Sequence, residues 1–146
     1  MTIDTAILIV HAAATWFMTG LIWFVQIVHY PLFGSVGKSE FTTYEREHQR
    51  RTTLVVAPVM LIELATAATL CFRTTAADRT LALTGAALLA VIWASTWLLQ
   101  VPLHNRLSTG YQPLLIRRLA TSNWLRTAAW TARALITGAL FTRAMP

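Results

Sequence analysis

The sequence predicts an all-α fold, an integral membrane four-helix bundle built from two parallel two-helix repeats. Three observations carry this expectation. Apolar stretches lie at about 6–29, 54–72, 81–101 and 128–142, each near the ~20 residues that cross ~30 Å of hydrocarbon. Only 12% of the 146 residues are charged while 55% are hydrophobic, against a usual charged share of about 25%. A motif also recurs with an offset of 74 residues for Trp23/Trp97 and Gln26/Gln100, and 75 for His29/His104, His48/Asn123, Arg51/Arg126 and Thr52/Thr127.

The elements follow in order, as a single domain over 1–146 with helices expected at about 6–29, 40–72, 80–102 and 113–142 and repeat halves at about 1–74 and 75–146. Helix one is expected to end at Pro31, because the residue before a proline is pushed out of the helical region. The segment from Pro31 to Gly37 then reads as a turn. A second helix starts near Ser39 outside the bilayer, with Phe41, Tyr44, His48 and Arg51 on one face. It runs on into the apolar stretch with an expected kink at Pro58. After a short link, Arg73 to Thr80, helix three reaches Pro102 and the chain turns through Ser108, Thr109 and Gly110. Pro113 suits the start of helix four. Helices two and four extend beyond the bilayer in this scheme. A soluble bundle would need polar helix faces, which segments one and three barely have.

The first segment lacks the basic start and short apolar core of a cleavable signal. The formal charge of +6 sits beside the apolar segments, which favours membrane orientation over nucleic-acid binding. Lys38, Arg46, Arg50, Arg51, Arg106, Arg117 and Arg118 lie in the connections one–two and three–four, against Arg73, Arg79 and Arg143 on the other side. The expected topology is a multi-pass protein of the bacterial inner membrane with the long connections cytoplasmic and both termini outside. Cys71 is the single cysteine, so no intramolecular disulfide or two-cysteine redox centre can form.

The repeat brings polar groups to one level. His29, His48 and His104 are candidate metal ligands, for iron or copper first and zinc second, with an open coordination position. Two of them, His29 and His104, are alternatively the axial pair of a haem b, with Arg51 and Arg126 on its propionates. Arg51, Arg126, Asn123 and Tyr44 are the candidate catalytic or substrate-holding residues. Gln26 and Gln100 share helix faces with the histidines and are expected to orient the rings; interhelical bonding is the simpler alternative. Glu45 and Glu47 read as solvated surface, with a ligand or proton-acceptor role as the other possibility. The bland alternative for the whole cluster is a set of solvated helix ends.

Deeper in the segments, Glu63 and Arg133 differ by ~7 Å in rise, so they are expected to form a buried ion pair. His11 should lie beside Glu63. The pair is either structural or part of a proton route from the outer face. Trp16, Trp23, Trp93 and Trp97 either wall a flat lipophilic ligand or pack against lipid and core.

The run from Val28 through His29, Tyr30, Pro31, Leu32 and Phe33, the set Tyr44, His48, Arg51, Pro58, Met60 and Glu63, and the sets Gln100, Pro102, His104, Asn105, Arg106 and Asn123, Trp124, Arg126, Thr127 together resemble a group of small bacterial four-helix membrane proteins. More distantly, the layout is similar to the anthrone-oxygenase-like membrane family, with His-Tyr-Pro at 29–31 where that family has His-Pro. The resemblance spans nearly the whole chain and implies oxidative chemistry on a lipophilic molecule. The leading expectation is therefore a metal-dependent membrane oxidoreductase. The alternatives are a haem-binding electron carrier and a non-enzymatic transporter or anion- or lipid-binding protein. The expected partners are the lipid bilayer and a lipophilic small molecule, without nucleic acid, and homo-oligomerisation is left open. Nothing in the sequence sets up a nucleophilic hydrolase.

Overall fold

A computed structural model describes residues 3–144, and among these the regular structure is helical throughout. We label four rods. The first, α1, consists of an α-helix Ile3–Phe24, a π-helical turn Val25–His29, a short α stretch Tyr30–Leu32 and a 3-10 turn Phe33–Ser35. The second, α2, is Phe41–Arg73. The third, α3, is Arg79–Ser95 followed by a π-helical turn Thr96–Gln100 and an α stretch Val101–Leu107. The fourth, α4, is Pro113–Ala144.

The rods pack in cyclic order, each against two neighbours, with α1 and α3 on the diagonal and the α2–α3 seam the loosest. The first three are long and apolar enough to cross a membrane. The fourth is as long but carries Arg117, Arg118, Arg126, Arg133 and Arg143. Polarity is inverted relative to a soluble bundle: Leu54, Leu98, Leu114 and Leu135 are exposed, while His11, Glu45, Glu63, Asn123, Arg126 and Arg133 are buried. That arrangement suits a lipid surround, in which internal pairing is the way to satisfy polar groups.

The expected helix ends at Pro31 and Pro102 are corrected. In both rods the helix continues past the proline, to Ser35 and Leu107. The physical reason is the wide turn before each proline. The Tyr30 N–H reaches back five residues to the Val25 carbonyl, and the Val101 N–H reaches back likewise to Thr96. Each wide turn carries a residue in excess of the α pitch, and the proline that follows has no N–H to place. The two turns lie 71 residues apart, whereas the side-chain motif recurs at 74 and 75. The backbone feature and the motif are thus in different registers. Pro58 lies within the unbroken helix α2.

Apolar and polar layers alternate along the bundle. Phe33, Phe41, Leu107 and Leu119 close the end where α1 and α3 finish. Met18, Ile22, Met60, Ile92 and Trp130 fill the middle. Leu8, Leu70 and Leu140 fill the other end. Between the middle layer and that far end, Glu63 and Arg133 form an ion pair at 2.9 Å, both essentially without solvent exposure. Thr15 donates to Glu63 Oε1 at 2.9 Å, Trp130 Nε1 donates to Oε2 at 3.1 Å, and Arg133 also donates to the Gly85 carbonyl. His11 bonds to Thr66 Oγ1 at 2.9 Å, one turn along α2 from Glu63. A buried pair with this many partners meets the condition under which burying two charges is tolerated.

Candidate functional site

The second polar layer lies between the middle core and the aromatic cap. It gathers His29 and Tyr30 from α1, Glu45, His48, Gln49 and Thr52 from α2, His104 from α3, and Asn123 and Arg126 from α4. His29 Nε2 and His48 Nδ1 are 2.8 Å apart, and Thr52 Oγ1 is 3.1 Å from the same His48 nitrogen. The rings of His29 and His48 lie 4.6 Å apart, and those of His48 and His104 5.2 Å apart. Phe33 packs edge-to-face with both His29 and His48, with ring centroids 5.1 Å apart in each pair.

Glu45 is the residue that the sequence reading misplaced. It is fully buried rather than solvated, and its Oε1 lies 2.6 Å from His104 Nδ1. Gln49 Nε2 donates both to that oxygen and to the His104 carbonyl, each at 3.2 Å. The buried residues at the start of α2 are Phe41 and Glu45, with His48 half-buried beyond them, rotated one residue from the face drawn through Tyr44 and Arg51. The flanking charges of Arg46 and Glu47 hid this. Spacings of four and three from the apolar anchor Phe41 are the signal that reveals it.

Arg51 accordingly lies outside the site. It is exposed and pairs with Glu47 at 2.8 Å. Its counterpart in the motif, Arg126, is buried, lines the polar end of the adjoining cavity, and lies over the Trp130 ring at 5.2 Å. Tyr44 is half-buried with its ring edge-on to Phe33 at 5.5 Å. Neither glutamine orients an imidazole. Gln26 donates to the Ala120 carbonyl and accepts from Asn123 Nδ2 at 2.9 Å, while Gln100 donates to Ser122 Oγ at 3.0 Å. Both tie their helices to α4, because the wide turns aim these side chains at it. Asn123 in turn accepts from Arg126 Nη1 at 3.2 Å, so it positions the guanidinium.

These contacts define a directional chain. A carboxylate only accepts hydrogen bonds, so the network assigns a His104 proton to Nδ1, and in the neutral imidazole Nε2 is then an acceptor. The Tyr30 hydroxyl, 3.1 Å from Nε2, donates to it. Both donors between Tyr30 and Glu45 thus point toward the carboxylate. Glu45 Oε2 and Arg126 Nε have no partner among the described residues. His48 Nε2 likewise has no hydrogen-bond partner among the described residues, in either tautomer of the His29–His48 pair.

The layer forms the polar end of a cavity of about 250 Å³ whose mouth lies in the α2–α3 seam, flanked by the exposed Thr53 and Trp97. Its walls are Met18, Ile22, Val56, Met60 and Trp93, and its polar end is formed by Tyr30, His48, His104 and Arg126. Trp16 and Trp23, by contrast, fasten α1 to α4 through the Ala134 carbonyl and Thr131. No group of three His, Cys, Asp or Glu among the described residues converges its donor atoms as a metal-ligand set. The imidazole nitrogens of His104 are both engaged, and His29 and His48 face each other. No family model, curated protein or solved structure matches the chain.

Proposed function

We propose that this chain is a membrane protein that takes a lipophilic small molecule from the bilayer into the α2–α3 cavity and exchanges a proton with its head group. A phenol- or quinone-type ring is the class that suits the apolar walls and the polar end. The observation that carries this reading is His48 Nε2, an imidazole nitrogen without a hydrogen-bond partner among the described residues, beside that cavity. An imidazole with a free ring nitrogen beside a bound head group is a common proton-transfer group. The chain from Tyr30 to Glu45 supplies a second, carboxylate-supported imidazole at His104.

The test is thermal unfolding of the purified protein in detergent with short-chain quinones and alkylphenols as probes. A probe that binds the folded state raises Tm in a concentration-dependent way. We expect at least one of them to do so, and expect His48→Gln to abolish the shift while remaining helical. A wild-type protein unmoved by every probe, or a shift that survives in His48→Gln, overturns the reading.

A metal-dependent oxidation at His29, His48 and His104 is the second reading, favoured by the three imidazole rings lying 4.6 and 5.2 Å apart in succession. The donor atoms as arranged do not converge as a ligand set, so a metal would require these rings to turn. About one iron or copper per chain, lost in His48→Gln and His104→Gln, installs it. A Soret band would place a haem at His29 and His104 instead.

A further inference from the structure

On the other side of α3 from the ligand cavity lies a separate groove of about 500 Å³, between the end of α3 and the start of α4. Its apolar floor is Leu98, Leu99 and Leu103, with Leu98 exposed over 73% of its surface. Arg106 and Arg118 line its upper part, one from each helix. Like Arg46, Arg79, Arg117 and Arg126, neither guanidinium has a carboxylate partner among the described residues, whereas Arg50, Arg51, Arg73, Arg133 and Arg143 each have one. The groove thus combines an apolar strip with two unneutralised cations at one end. From Arg106 back to Leu98 the strip runs ~12 Å along the helix at 1.5 Å per residue, enough to carry much of one acyl chain. Arginine is also the side chain suited to a phosphate, through its planar fork of donors.

We propose that this groove is a binding site for an anionic glycerophospholipid, its phosphate between Arg106 and Arg118 and one acyl chain along Leu98, Leu99 and Leu103. The site is independent of the ligand cavity in its residues but shares a wall with it. Ser122 lines the groove and accepts from Gln100, which lines the cavity. A seated lipid therefore braces the helix that carries His104.

The experiment uses the whole protein in nanodiscs of phosphatidylglycerol mixed with phosphatidylcholine, extracted into detergent and examined for retained lipid by native mass spectrometry. We expect phosphatidylglycerol to be retained at least tenfold over phosphatidylcholine. Arg106→Gln/Arg118→Gln should remove that preference, with helicity and Tm checked to show a folded chain. Arg117→Gln is the control, since Arg117 is exposed beside Arg118 but does not line the groove. Equal retention of the two lipids overturns the proposal. So does an equal loss in Arg117→Gln, which would mean interfacial charge without a site. Displacement of the lipid by millimolar inorganic phosphate would reassign the arginines to a free anion and also overturn it.

Discussion

The carboxylate of Glu45 and the imidazole of His104 meet at 2.6 Å across the α2–α3 seam, with the carboxylate fully buried and the imidazole nearly so. The contact fastens the two helices beside the mouth of the cavity and fixes which His104 nitrogen carries the proton. Glu45→Gln preserves the shape and removes the charge. Hydrogen bonds to charged groups are worth about 1.5–3 kcal/mol, and we expect a destabilisation in that range with a folded, helical protein. The specific readout is nitrogen NMR of His104: its proton should leave Nδ1 as the dominant site. A tautomer unchanged in Glu45→Gln would remove the carboxylate from the role assigned to it.

Arg51 and Arg126 are equivalents in the motif and opposites in the structure. Arg51→Ala should leave Tm and probe binding unchanged, because its exposed pair with Glu47 is worth little. Arg126→Gln should weaken probe binding by roughly tenfold or more, about 1.4 kcal/mol, since it removes the guanidinium from the polar end of the cavity. Equal effects of the two substitutions in titrations of the same probe would contradict this division.

The Glu63–Arg133 pair gives the third prediction. Removing one partner leaves an uncompensated buried charge, which costs about 3–5 kcal/mol. Glu63→Ala should therefore be strongly destabilised, and the double change Glu63→Leu/Arg133→Met should recover most of the loss. Unfolding titrations in detergent measure both. If Glu63→Gln instead keeps full stability but loses activity, the pair belongs to a proton route from that end of the bundle.

These residues also show what the sequence could disclose. Glu63 and Arg133 were legible because rise per residue is fixed along a helix, and one internal carboxylate facing an internal guanidinium has few other ways to be neutralised. The histidine layer was legible because helix ends on one side of a bilayer share a level. Glu45 was not, since a carboxylate between Tyr44 and Arg46 looks solvated unless the buried face is phased from Phe41. Gln26 and Gln100 were placed at the right level but aimed at the wrong neighbour. Their direction is set by π-turns, a backbone choice that residue propensities do not encode.

Those π-turns make the last prediction. If the turn Val25–His29 carries one residue in excess, its removal should leave the flanking stretches of α1 in place. Ile27 is 56% exposed and contributes little packing. Deleting it alone would return the turn to α pitch and set the missing N–H of Pro31 inside a regular ladder, which is costly. Deleting Ile27 together with Pro31→Ala restores that donor, and Pro31 is itself exposed. We expect this double variant to fold and to keep probe binding. Deleting Ala13 from the regular part of α1 should be far more damaging, because it rotates one side of the helix by ~100° relative to the other. The comparison is read from monodispersity and Tm in detergent. Equal damage from the two deletions would mean that the wide turn is not where α1 absorbs its extra residue.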